Sequence, residues 1–183
     1  MKQLIFSLLA AMLAFGACRS DYEKMLAEER ASGAKHDELW LGFRFGTSQK
    51  AFFDTCWQLN GRGVLSHGTE LPITTRMDVS QHFSAPVFMN FYPTFEDGQI
   101  AEMMAIFVYK DWSPWMNELN QEKLLTESAR YLEKLLPGNA IIQIKHPEKG
   151  KVLVKVDGNR QVLLFPFEEQ KAKALITDLN RKK

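Results

Sequence analysis

The sequence is poor in cysteine, in charge of either excess and in long apolar runs. Two cysteines, Cys18 and Cys56, stand in 183 residues, which excludes a scaffold stapled by several disulfides. Neither lies in a Cys-x-x-Cys pair, and none of His36, His67, His82 and His146 forms His-x-x-x-His. The local ligand pairs of common zinc sites are therefore missing. No Gly-x-Ser-x-Gly elbow occurs. Gly61-Arg62-Gly63 follows a predicted helix instead of opening one, so it reads as a turn and not as a phosphate cradle. Basic residues number 23 and acidic residues 22, a balance that gives no electrostatic footprint for nucleic acid. The final Arg181-Lys182-Lys183 reads as a solvated tail.

The one sustained apolar run is at the N-terminus. Lys2 precedes Leu4–Phe15, which carries no charge, and Gly16-Ala17-Cys18 follows. This is the charged, apolar and small-residue layout of a secretory leader. A membrane-spanning helix needs roughly 18 or more apolar residues, and Arg19, Asp21 and Glu23 close the run before that. The segment resembles the signal peptides of bacterial lipoproteins, although Phe15 replaces the usual Leu and Gly16 the usual Ala or Ser. The resemblance implies a leader over residues 1–17, acylation of Cys18 and attachment to the membrane by lipid. Arg19 stands where Asp would retain such proteins at the inner membrane, which favours the outer membrane. Ordinary secretion to the periplasm, with cleavage after Gly16, is the alternative.

Residues 18–38 are polar and read as a tether, helical around Tyr22–Arg30. With Cys18 acylated, Cys56 has no disulfide partner. It reads as a small buried apolar residue, since no His or Lys lies within a helical turn to lower its pKa.

Residues 39–183 read as one domain by length. Leu39–Phe45 alternates as a short strand. Ser48 caps a helix over Gln49–Leu59, whose Phe52, Cys56 and Leu59 fall on one face with Phe53 and Trp57 flanking. Asn60-Gly61 ends it. Strands follow at Ile73–Val79, at Val87–Tyr92 stopping at Pro93, and at Gln99–Lys110 after the Asp97-Gly98 turn. A second helix over Gln121–Leu136 presents Leu125, Ser128 or Ala129, Leu132 and Leu136. Four strands complete the chain: Ala140–Lys145, Lys151–Val156, Gln161–Phe167 and Ala172–Leu179. The last of these is also open to a helical reading. The fold class is α+β, an antiparallel sheet with two helices packed on one face and a two-fold helix-plus-meander pattern.

Phe45-Gly46-Thr47-Ser48 leading into Phe52 resembles the opening of the small domains typified by the outer-membrane assembly factor BamE and by β-lactamase inhibitory protein. The Leu-Gly-x-Pro that often ends their helix is replaced here by Leu59-Asn60-Gly61. The chain as a whole resembles small lipoproteins of Bacteroidetes, which implies no particular activity.

Trp112-Ser113-Pro114-Trp115, with Tyr109 nearby, is the candidate binding surface, because tryptophan is enriched at binding hot spots. The competing reading has both rings capping the core. Glu96-Asp97, Glu168-Glu169 and Asp37-Glu38 are adjacent acidic pairs of solvated turns, unlike catalytic carboxylates that face each other across a cleft. His82 reads as a loop histidine. The expected function is a lipid-anchored, non-enzymatic binding domain of the cell envelope. Its partner would be a protein or a small ligand, and no cofactor or metal is expected. A structural or assembly subunit of an outer-membrane complex is the second reading. A hydrolase with a spatially assembled site is the third.

Overall fold

A computed structural model describes residues 21–69 and 74–181. Cys18 and the leader expected over residues 1–17 lie outside the described residues. The described chain is α+β. It contains helices α1 (Asp21–Ser32), α2 (Gln49–Gly61) and α3 (Gln121–Leu135), and strands β1 (Ser66–His67), β2 (Thr75–Asp78), β3 (Val87–Glu96), β4 (Gln99–Tyr109), β5 (Ile142–His146), β6 (Gly150–Asp157), β7 (Arg160–Phe167) and β8 (Lys171–Asp178). All eight strands form one antiparallel sheet in the order β1-β2-β3-β4-β8-β7-β6-β5.

Two helices begin on side-chain caps, of which Ser48 was expected and Asn120 was not. The Ser48 hydroxyl accepts from the Ala51 amide at 3.2 Å, and the Asn120 side chain accepts from Lys123 at 2.9 Å, each satisfying an otherwise orphaned N–H. Strand register sorts the core. Met89 and Phe91 of β3 face Phe107 and Ala105 of β4, and these align with Ala172 and Ala174 of β8 and Leu164 of β7. Every one of these residues is buried. Between them, Phe88, Met104, Val108, Lys173 and Leu175 point to the other face and are partly exposed. The helix α3 buries Leu124, Leu125, Ser128, Tyr131 and Leu132, and its Tyr131 ring meets the Phe107 ring edge-on at 6.0 Å.

Several expectations need correction. Leu39–Phe45 is not a strand. Leu41 and Gly42 take φ of 55° and 83°, folding a tight turn closed by Phe43 N–H to Trp40 O at 2.9 Å. The turn buries Leu39, Trp40, Phe43 and Phe45 together, so the alternating apolar residues serve a compact knot. Pro93 does not end β3, which runs on to Glu96. Strand β2 stops opposite Phe91. Beyond that point β3 has no ladder neighbour on that side among the described residues, a place where a missing N–H is tolerated. On α2, Phe53 and Trp57 do not widen the buried face; they are exposed.

The segment read as a tether is laid on the domain from Asp21 onward. The helix expected near Tyr22–Arg30 forms, and its polar side chains hold the β6 edge and the β6–β7 turn. Tyr22 Oη accepts from Gln161 Nε2 at 2.6 Å. The Glu29 carboxylate accepts from the Gly158 amide at 2.7 Å and from Asn139 Nδ2 at 2.6 Å. Met25 Sδ accepts from the Val156 amide at 3.3 Å. Beneath them lies a buried ionic cluster. Asp157 Oδ2 takes Lys155 Nζ at 3.0 Å and Arg160 Nη2 at 2.9 Å. Lys155 also donates to Leu136 O at 2.5 Å, and Arg160 to Glu38 O at 3.0 Å and Pro137 O at 2.8 Å. The cluster thus binds the N-terminal segment, the end of α3 and the β6–β7 turn into one unit.

Candidate functional site

The three residues of the expected aromatic surface part company. Tyr109, the last residue of β4, is only 3% exposed. Its hydroxyl is buried without a hydrogen bond among the described residues, and desolvation, with the Glu127 charge, pushes it up to about 12. Trp112 packs partly buried against the core. Trp115 presents its ring to solvent at 78% exposure.

A second aromatic site is more concave. The helix α2 turns Phe52 and Leu59 into the core. Phe53 and Trp57, four residues apart, fall one step around the helix and form a stripe of their own. Trp57 is 82% exposed, with Phe53 at 42%. These rings, Cys56, Leu65 and His67 line a cleft of about 340 Å³ between α2 and the sheet edge at β1–β2. The clue available in the sequence was the width of the apolar stripe. Five apolar positions across two turns of α2 exceed what one sheet face covers.

Cys56 forms part of this wall and is partly buried, as the sequence suggested in part. Thr75 Oγ1 lies 4.0 Å from its Sγ. Burial raises the thiol pKa, and the Thr75 hydroxyl offsets only part of that rise. Less thiolate is present at any given pH. Cys56 should therefore react with a disulfide reagent at pH 7.4 severalfold more slowly in the folded chain than in urea. Equal rates would place the thiol in open solvent.

A polar cleft of about 280 Å³ lies on the other side of the first meander, lined by His82, Ser84, Glu127, Arg130, Tyr131 and Lys134. Ser, His and Glu meet here, but not as a relay. Glu127 accepts from the Ser84 backbone amide at 3.2 Å. His82 Nε2 lies 3.2 Å from Gln81 Nε2, and the ring packs 5.1 Å from Tyr131. Burial pushes the Tyr131 hydroxyl up to about 12, so it stays neutral near neutral pH. Among the described residues, no group of three His, Cys, Asp or Glu could hold a metal ion. No described helix is long and apolar enough to cross a membrane. The chain matches no family model, no curated protein and no solved structure.

Proposed function

We propose that the protein is a lipid-anchored binding domain of the cell envelope, held at the outer membrane through Cys18, that receives a partner protein in the cleft beside Trp57. The observation carrying this reading is the 82% exposure of Trp57 above a concave wall. An indole left in water at the mouth of a cleft offers a large apolar area at low entropic cost. Trp115, exposed in the strand–helix connection, is a second candidate contact, close in sequence to the partly buried Trp112 and the buried Tyr109.

In the same reading, α2 and α3 share one sheet face as two helix-plus-meander units. The strand order supports this, since two four-strand meanders join through their last strands, β4 and β8. So do the aromatic contacts. Phe52 of α2 meets Phe43, which meets Phe91, and Tyr131 of α3 meets Phe107. Phe91 and Phe107 lie on one face by register.

Partner recovery after mild detergent extraction tests the proposal. Trp57→Ala should weaken capture by at least ~10-fold, as expected of a hot-spot aromatic, with the fold unchanged by circular dichroism. Trp115→Ala measures whether the second ring contributes. Undiminished capture by Trp57→Ala would dismiss the cleft as the binding surface. Stoichiometric recovery of an integral outer-membrane protein would favour the assembly-subunit reading.

A further inference from the structure

We infer that the domain rides directly on the bilayer, with α1 and the β6–β7 end of the sheet against the lipid headgroups. This rests on the acylation of Cys18 proposed above. Three residue steps separate Cys18 from Asp21, the first residue of α1. That stretch spans at most ~11 Å of chain. If residues 18–38 were a free spacer, the same chain could reach roughly 70 Å.

The short span governs because α1 moves with the sheet. Tyr22 is bonded to Gln161, Met25 to Val156, Glu29 to Gly158 and Asn139, and Arg30 Nη2 to Leu179 O at 3.4 Å. These contacts run from the first turn of the helix to its last. None can persist if the domain stands away from its anchor. The Tyr22 contact also fixes which part of the sheet is nearest. Gln161 projects to the same face as Thr177, its neighbour in register on β8, so the first turn of α1 reaches over that end of the sheet.

The chemistry of α1 suits a zwitterionic headgroup layer. Asp21, Glu23, Glu28 and Glu29 outnumber Lys24 and Arg30, so α1 has no basic excess that would call for anionic lipid. Tyr22, Met25 and Leu26 are partly exposed beside them. The occupant of this surface is therefore a bilayer of neutral headgroups, and binding should not require anionic lipid.

The rest of the sheet then extends outward from the anchor. Strand β1 lies six strand positions from β6, about 29 Å along the sheet. The domain supplies the distance that the tether was expected to supply, and the Trp57 cleft lies towards the far edge.

Backbone amide broadening provides the test. The acylated chain would be placed in phosphatidylcholine nanodiscs carrying a nitroxide headgroup lipid. Amides of Asp21–Ser32 and of residues 158–161 should broaden at least threefold more than those of Ser66–His67 and of the first turn of α3, whose Gln121 bonds the opposite end of β7. The paired change Tyr22→Phe and Glu29→Ala should undock α1. It should keep the broadening at residues 21–25 and lose it at 158–161, while the amides of β3, β4 and β8 report an intact sheet. Mass spectrometry of the same sample reads the acyl group on Cys18. An acylated chain without broadening at 158–161 overturns the inference and leaves the anchor standing. A chain with no acyl group overturns the anchor, and this inference with it.

Discussion

Asp157→Ala should lower the stability of the domain by ~3–5 kcal/mol, the cost of leaving buried charge without its partner. Among the described residues Asp157 is the carboxylate that holds both Lys155 Nζ and Arg160 Nη2, and the Lys155 side chain is 0% exposed. Removing the carboxylate strands an ammonium and most of a guanidinium in the interior. The carbonyls of Leu136, Asn139, Pro137 and Glu38 would remain as acceptors, but they carry no formal charge. Urea unfolding followed by tryptophan fluorescence measures the loss. Replacing all three charges together, as Lys155→Met, Asp157→Leu and Arg160→Met, should cost less than the single change, because nothing charged is then left unpaired. If Asp157→Ala loses under 1 kcal/mol, water reaches the cluster and the end of the sheet is open.

The second large effect is expected from Phe91→Ala. The ring is 0% exposed. It meets Trp40 edge-on at 5.4 Å and Phe43 at 6.1 Å. Truncation opens a cavity between the sheet and the 39–45 turn, and a loss of ~3–5 kcal/mol is expected. The neighbouring Phe88 supplies the control. It points to the opposite face, where the Arg76 guanidinium lies 4.3 Å and the Lys110 ammonium 4.5 Å from its ring centroid. An exposed cation–π pair of this kind contributes ~0.5–1 kcal/mol, so Phe88→Ala should be the milder change by thermal melting. Equal losses would mean that both faces of the sheet are cores.

How legible these features were depends on how local their cause is. The Asp97-Gly98 turn, the Ser48 cap and the apolar stripe of α3 are set by residues close in sequence, and all could be read in advance. Ala172–Leu179 was ambiguous between helix and strand because its composition is rich in Lys, Ala and Leu. Its place in the sheet decides it: Ala172, Ala174 and Ile176 are buried at a period of two between β4 and β7. The 39–45 segment misled because a turn with two positive-φ residues buries apolar side chains at strand-like spacing. The polar stretch before it misled for the opposite reason. Tyr22, Glu29 and Arg30 look like solvated residues until the β6–β7 turn and the last strand arrive to use them. Of the candidate aromatic surface, Trp115 is exposed as hoped. Tyr109 is interior, because the end of β4 lies under α3. The Trp57 cleft was hidden because sequence alone does not say how much of a wide apolar stripe the sheet will cover.

The position of β8 has a consequence for biogenesis. It comes last among the described strands in chain order, yet it lies at the centre of the sheet, paired with β4 through Glu102–Val108 on one side and with the whole of β7 on the other. Until residues 171–178 emerge, the two meanders have no edge in common, and neither can close its core. Pairings of such wide sequence separation form late in folding. Loss of residues 171–178 would leave a four-strand sheet and a three-strand sheet with bare edges, a species prone to aggregate.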